Sequence, residues 1–466
     1  MDKTTNSLSA NKLTLLWTRF STGSINRRIF GAALIVGFFT LCVKIVSLLR
    51  ELVIASAFGT GDAVEAFIIA NMVPAFIVNV VSASLNAAMM PAYIQVREQE
   101  GPEAAQELLS GIIALTLFLQ FMTIAVLIAI GPYMLKFLGS GFSEEKIILT
   151  QKLLYVLLPI IVLNGLIKIC TTVINAEEQF AFGAFIPAVV PVFSIIIVLF
   201  YVNVIGIYAL AIGFVMGFGF QLCVLALVLK KKKISVCPRW VGLTPPIRQV
   251  IHQYLPIMTG ALMVSSTTIV DQSMAAMLDP GSVATLGYAE KIPATLAGIS
   301  AMALGTAVLP YYSKMVINGD WQGIEHTLKA YRWKIVQVAI PLTVLFYYFS
   351  EPIVQILYQR GAFTATDTVL VGEVQAVYVL RIPLFLLTTL MVRLVSSLKY
   401  NQLLMYGAMI TAVVNVIFNY IFMKIMGLPG IALSTVLVNG VSFIYLSVGL
   451  RKKLNSVKKL SPQTGK

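Results

Sequence analysis

The chain has 466 residues, 58% of them hydrophobic and 12% charged, with mean hydropathy +0.88 and formal net charge +14. A soluble protein of this length needs far more polar surface, so the composition excludes a water-soluble enzyme and points to an all-α polytopic membrane protein. In such a chain, excess Lys and Arg marks cytosolic loops rather than a nucleic-acid surface.

No cleavable signal precedes the first apolar run, which starts near Phe30, so residues 1–28 read as a cytosolic tail. Windows of about 20 apolar residues then give about twelve spans. They centre on 29–49, 64–92, 110–138, 150–175, 182–203, 206–229, 250–277, 284–312, 334–358, 368–396, 404–424 and 428–450. Several exceed one straight crossing, which predicts tilt or short cytosolic extensions.

Span 1 carries Lys44, Ser47 and Glu51 at steps of three and four, on one helical face, with Arg50 adjacent. Each charge at membrane depth costs about 2.5–3.5 kcal/mol on insertion scales, so such residues need a function or a partner. Span 2 opens with Glu65, span 7 holds Asp271, span 8 opens "LGYAEKIP" with Glu290 and Lys291, and span 10 holds Glu373 and Arg381. Lys44, Arg50 and Lys291 suit the oxygens of a phosphate-bearing substrate. Glu51, Glu65 and Glu290 would hold those cations when the cavity is empty and release them when an anion arrives. Mutual pairing that only locks helices together is the plainer reading of any single one of these charges.

The basic, proline-containing segment "KKKKISVCPRWVGLTPPIRQ" (230–249) divides the spans six and six. "LNAAMMPAY" (85–93) and "LGTAVLPYY" (304–312) share Leu, Ala, Pro and Tyr at one spacing, 219 residues apart. Two six-helix lobes, 29–229 and 250–450, around a central cavity make a transporter architecture. Residues 451–466 read as a second cytosolic tail.

With the N-terminus inside, cytosolic segments hold about 23 of the 34 Lys and Arg, and the opposite loops about five. Both termini are therefore expected in the cytosol. The basic runs at 230–233 and 451–459 also suit contacts to anionic lipid.

Span 11 reads "TAVVNVIFNYIF", placing Asn415 and Asn419 on one face. With Asp271 and Thr435 from neighbouring spans they form an oxygen donor set for a hard monovalent ion such as Na⁺. Hydrogen bonding between helices is the alternative. The four cysteines show no disulfide or metal spacing, and His252 and His326 lie near predicted cytosolic loops. No phosphate-loop, HExxH, CxxC or GxSxG motif is present, so no enzyme activity is expected. Pro74, Pro91, Pro187, Pro191, Pro293 and Pro310 fall in or near spans as candidate kinks.

"SLLRELVIASAFGTGDAVEAFIIANMVP" (47–74), "GYAEKIPATLAGISAMALGTAVLPYYSK" (287–314), "YQRGAFTATD" (358–367) and "VINAEEQFAFGAFIPAVVP" (173–191) resemble segments of the MurJ/MviN lipid II flippases of the multidrug/oligosaccharidyl-lipid/polysaccharide (MOP) exporter superfamily. The resemblance runs from about residue 30 to 453. It implies a flippase that carries an undecaprenyl-pyrophosphate-linked saccharide, lipid II or a related envelope precursor, to the outer leaflet of a bacterial cytoplasmic membrane by alternating access. It implies a monomer working among membrane lipids, without nucleic acid. Lys44 stands where the family has a cavity arginine, Arg50 matches another, Glu65 stands at a cavity aspartate and Lys291 at a span-8 arginine. Some members resemble the span-7, -11 and -12 set with a cation site to which Ile431 would add a backbone carbonyl.

Two departures bear on cargo. After Pro74 the family shows paired arginines where this sequence has Val78 and Asn79. The family commonly has fourteen spans, the last two lining a tail groove, and twelve are expected here. Both leave room for another lipid-linked saccharide. A cation-coupled multidrug exporter of the same superfamily is the alternative, disfavoured by the cavity cations. A membrane glycosyltransferase or polymerase would want large outer loops with paired carboxylates, and the richest here is only "GSGFSEEK" (139–146).

Overall fold

A computed structural model describes residues 25–460, without the side chains of 25–30, 32–34, 303, 305–307, 309–310 and 457–460. Among the described residues there are twelve long helical units: α1 (Ile25–Phe58), α2 (Asp62–Gln99), α3 (Pro102–Leu138), α4 (Glu144–Ala176), α5 (Phe180–Ile205), α6 (Tyr208–Lys231), α7 (Pro245–Ala275), α8 (Ser282–Ile317), α9 (Trp321–Tyr348 continued by Ser350–Tyr358), α10 (Ala365–Ser397), α11 (Asn401–Met426) and α12 (Leu428–Leu460). Each expected span falls on one of them, with the windows at 206–229 and 250–277 overshooting by two residues. The helices run longer than the windows. At about 1.5 Å per residue, the 37 residues of α3 exceed a hydrocarbon core of about 30 Å.

Length and hydropathy alone qualify eight of these helices as membrane spans, or nine with the bent α9, among the described residues. Charges at membrane depth include Lys44, Arg50 and Glu51 in α1, Asp271 in α7, and Glu290 and Lys291 in α8. Elsewhere large apolar side chains face outward, such as Phe200 at 75% exposure and Tyr133 at 77%. A soluble protein cannot leave such a belt uncovered, but hydrocarbon covers it.

Short turns join most helices. Gly206 and Gly427 end α5 and α11 with φ of +55° and +64°, a left-handed cap that other residues rarely adopt. Breaks inside helices follow local causes. In α2 a π-helical turn, Val78–Ser82, comes one turn after Pro74, and in α5 a 3₁₀ turn, Ile186–Ala188, contains Pro187. The 64° bend in α9 falls at Phe349, where the ring of Pro352 would collide with the carbonyl of Tyr348 in a continuous helix.

The boundaries of the units differ from those expected. The connection between α6 and α7 is 232–244, because Lys230 and Lys231 finish α6 and residues 245–249 begin α7. Helix α1 already starts at Ile25, and α12 continues through the basic run to Leu460. Residues 1–24 and 461–466 of the expected tails lie outside the described residues.

Packing is asymmetric between the two ends of the bundle. One apolar core takes residues from both halves, including Ile54, Phe67 and Leu154 with Val354, Tyr378 and Ile431. At the other end the cores are separate. One is built from α2–α6 and the start of α7, with Leu109, Leu225 and Ile247, and the other from α8–α12, with Tyr312, Leu390 and Leu446. The halves are therefore fused at the end bearing the α1–α2, α3–α4, α7–α8 and α9–α10 turns and parted at the end where α1 starts and α12 finishes. Helix α7 crosses between them, starting against α2 and α3 and finishing against α11.

Candidate functional site: a charged cavity under a sealed seam

The gap between the two parted cores ends on an ion cluster, where the shared core begins. Glu51 of α1, only 8% exposed, accepts from the Arg50 guanidinium and from Lys291 Nζ of α8 at 3.3 Å. Two cations share one carboxylate, so the cluster keeps one net positive charge. Arg50 is held with its Cζ 4.8 Å from the Phe214 ring centre, and its Nε is buried without a hydrogen-bond partner. Lys291 is the accessible member, with 43% of its side chain exposed. Lys44 is exposed, two helical turns along α1, and joins no ion pair among the described residues. Asn79, on the π-helical turn, is also exposed.

Two expected pairings are not made. Glu290 is adjacent to Lys291, yet its carboxylate accepts from Arg381 Nη1 at 3.1 Å, inside the second half. Successive helical residues point about 100° apart, and here that turns Glu290 toward Arg381 while Lys291 faces Glu51. Glu65 does not meet the cavity cations at all. It is 1% exposed and seals the seam at the fused end.

That seam is built on a helix end. The N-cap of α8 is Gly281, which has no side chain to satisfy the free N–H groups of the first turn. Glu65 of α2 satisfies them from the other half of the molecule. Its Oε1 accepts from Val283 N at 2.6 Å and Ala284 N at 3.3 Å, and its Oε2 accepts from Gly281 N at 2.9 Å. The buried ammonium of Lys146, at the start of α4, donates to the same carboxylate and to Asp62 Oδ1 at 2.6 Å. A carboxylate at a helix N-terminus with a buried cation behind it is favourable on both counts.

Other bonds run along the same seam. Tyr288 Oη donates to Gly59 O at 3.1 Å, Thr60 Oγ1 to Asp367 Oδ1 at 2.5 Å, and Ala362 N to Ser56 O at 2.8 Å. Glycines allow the close approach. A Cβ on Gly361 would stand 2.3 Å from Ser56 O, and one on Gly141 2.2 Å from Ala276 O. Gly141 has no positive φ, so Gly141→Ala tests the approach alone. Overpacking of this kind costs about 1–3 kcal/mol. Gly141→Ala is expected to open the seam, read as a roughly tenfold or greater rise in labelling of Thr285→Cys by an impermeant thiol reagent. Thr285 is 2% exposed in α8, and the four natural cysteines would be replaced.

The third group lies between α7, α11 and α12. Asp271 Oδ1 accepts from Asn415 Nδ2 at 2.9 Å and Asn419 Nδ2 at 2.5 Å, and Thr435 Oγ1 is 3.5 Å from Asp271 Oδ2. Thr435 also donates to Ile431 O at 3.3 Å. All five predicted residues thus come together. The Oδ1 atoms of Asn415 and Asn419 are buried with no partner. Orphaned acceptor oxygens beside a carboxylate are a donor set suited to a hard cation.

Sequence reasoning left Lys146, Asp62 and the seam glycines unassigned. Lys146 sits in the first turn of α4 beside Glu144 and Glu145, where a lysine is normally solvated, and only the fold buries it.

The sequence model of the family described as lipid II flippase MurJ matches residues 54–464. A probable lipid II flippase MurJ of Synechocystis is 26% identical over 445 residues, covering 90% of this chain and 80% of that one. The lipid II flippase MurJ of Burkholderia cenocepacia is 24% identical over 437 residues, covering 91% and 84%. Among solved structures, a lipid II flippase MurJ in an inward closed conformation superposes with a TM-score of 0.78 at 24% identity, covering 91% of this chain and 90% of that one. An inward-facing multidrug resistance MATE family transporter of the MOP superfamily gives 0.76 at 15% identity, covering 91% and 99%. The chain belongs to the lipid II flippase MurJ family.

Proposed function

We propose that this protein flips a polyprenyl-diphosphate-linked saccharide, lipid II first among them, across the bacterial cytoplasmic membrane by alternating access. The observation that carries the reading is the Arg50–Glu51–Lys291 cluster, net positive, at the floor of a cavity open at one end and sealed at the other. A diphosphate entering that cavity competes with Glu51 for Lys291 and Arg50. Since Lys291 and Glu51 lie in different halves, that competition weakens a tie between them and favours the state in which the halves part at the outer end. The Lys and Arg asymmetry supports both termini in the cytosol, so the open end loads from inside. The net positive cluster disfavours organic cations as cargo, which sets the drug-exporter reading second. A monomer is sufficient for the cavity described.

Asp271, Asn415, Asn419, Thr435 and the Ile431 carbonyl would hold Na⁺. A bound cation would give the second half a charge-dependent brace between α7, α11 and α12. Asp271→Asn is expected to remove any Na⁺ dependence of transport in vesicles while membrane levels stay at the parent value. Persistent Na⁺ dependence would remove this site from the mechanism.

The main test is expression in a bacterium depleted of its own lipid II flippase. Rescue of growth that Arg50→Ala and Lys291→Ala abolish at equal membrane levels supports lipid II as cargo. Failure to rescue at good expression moves the cargo to another lipid-linked envelope saccharide.

A further inference from the structure

The flank of the outer seam carries a second cavity, separate from the charged one. It measures about 330 Å³ and lies between α1 and α5, lined by apolar side chains that include Leu52, Val53, Ala57 and Leu199. Arg360 is the one charged residue on its wall. Two of the five guanidinium N–H groups are used, Nη2 donating to Ile356 O at 2.7 Å and Leu357 O at 2.6 Å. These carbonyls end α9 and hold the guanidinium in place at the groove, with three N–H groups left for a ligand. The groove faces hydrocarbon, because Leu199 and its neighbours Phe200 and Val204 are 62%, 75% and 78% exposed on the same helix.

We propose that this groove is a binding site for an anionic glycerophospholipid of the outer leaflet, one acyl chain lying between α1 and α5 and the phosphate resting on Arg360. The volume holds roughly ten water-sized groups, which suits part of one acyl chain. A single cation suits a single phosphate, whereas the diphosphate of the transported cargo meets two cations at the Arg50–Glu51–Lys291 cluster. Arginine presents the planar fork that phosphate oxygens take in pairs.

The site also depends on conformation. The apolar wall belongs to the first half and Arg360 to the second, whose turn is docked on α1 through Ala362 N to Ser56 O at 2.8 Å. Parting the halves at the outer end carries Arg360 away from its groove. A lipid that needs both parts binds only the sealed form and shifts the population toward it. Outer-leaflet lipid composition thereby sets how readily the seam opens.

The full chain bearing Thr285→Cys, free of natural cysteines, would be reconstituted in vesicles of phosphatidylcholine with or without phosphatidylglycerol. Labelling by an impermeant thiol reagent reads seam opening. Phosphatidylglycerol is expected to slow labelling at least threefold. Both Arg360→Ala, which removes the phosphate partner, and Ala57→Leu, which fills the groove and keeps Arg360, are expected to abolish that slowing. A slowing that survives in both variants is a general surface-charge effect and overturns the proposal. So does equal protection by phosphatidylcholine alone, or protection that requires undecaprenyl phosphate instead of phosphatidylglycerol.

Discussion

Glu65→Gln is expected to unseal the fused end and abolish transport. The carboxylate it replaces is 1% exposed and accepts from three backbone N–H groups and the Lys146 ammonium. A neutral amide caps a helix less well, and it leaves Lys146 with Asp62 as its remaining ion-pair partner. The Asp62 side chain is 65% exposed and screened by water. Breaking a buried pair by removing one partner costs about 3–5 kcal/mol. In the opened form both groups reach water, so most of that cost falls on the sealed state. At about 1.4 kcal/mol per tenfold, the sealed population drops by two orders of magnitude or more relative to the open one. Labelling of Thr285→Cys should rise accordingly, and rescue of a flippase-depleted strain should be lost, because cargo loads from the sealed form. Glu65→Asp keeps the charge and is expected to retain partial function. Glu65→Gln combined with Lys146→Met should cost less than the two single changes added together, since each removes the same pair. Parent-level labelling in Glu65→Gln would show that the seam is held by its apolar core alone.

The second large effect is expected at the cavity floor. Lys291→Ala takes the cluster from one net positive charge to neutral and removes its most accessible cation. A unit charge about 4 Å from a phosphate oxygen is worth about 4 kcal/mol at an effective dielectric near 20. Even a fraction of that, about 2.7 kcal/mol, lowers transport a hundredfold. Lys291→Arg restores the charge and should restore most of the activity. Exchanging the charges, Glu51→Lys with Lys291→Glu, separates two roles. It keeps the tie between α1 and α8 and the net charge, but places the accessible cation on the buried side. If the tie alone matters, the exchange is active. If the accessible cation meets the cargo, it is as inactive as Lys291→Ala, which is the expected result. Initial transport rates at matched membrane levels decide between them.

Much of this molecule was legible before folding, and the reason is local. A bilayer demands about 20 apolar residues per crossing, so the spans announce themselves along the chain. The 64° bend at Phe349 follows from Pro352, which acts within one turn. The Asp271, Asn415, Asn419 and Thr435 group was also within reach, because polar residues in apolar helices must find one another. The resemblance of 47–74 and 287–314 to the flippase family likewise brought Arg50 and Lys291 to one cavity, and the structure joins them through Glu51.

Partner choice among the remaining charges was decided only by tertiary structure. Glu290 turns to Arg381 and leaves Lys291 to Glu51, a matter of which helix packs on which side of α8. Glu65 reads as a cavity acid from its place at the head of α2. It becomes a cap because α8 begins at Gly281, which has no side chain to satisfy its own first turn. Lys146 carries no signal of its own in the sequence and is buried only because three turns converge on it. The physical reason is common to all three. Composition fixes that a charge in a membrane helix must be compensated, but the compensating group is set by distances of a few ångströms between residues 81 to 240 positions apart, which exist only once the helices have packed.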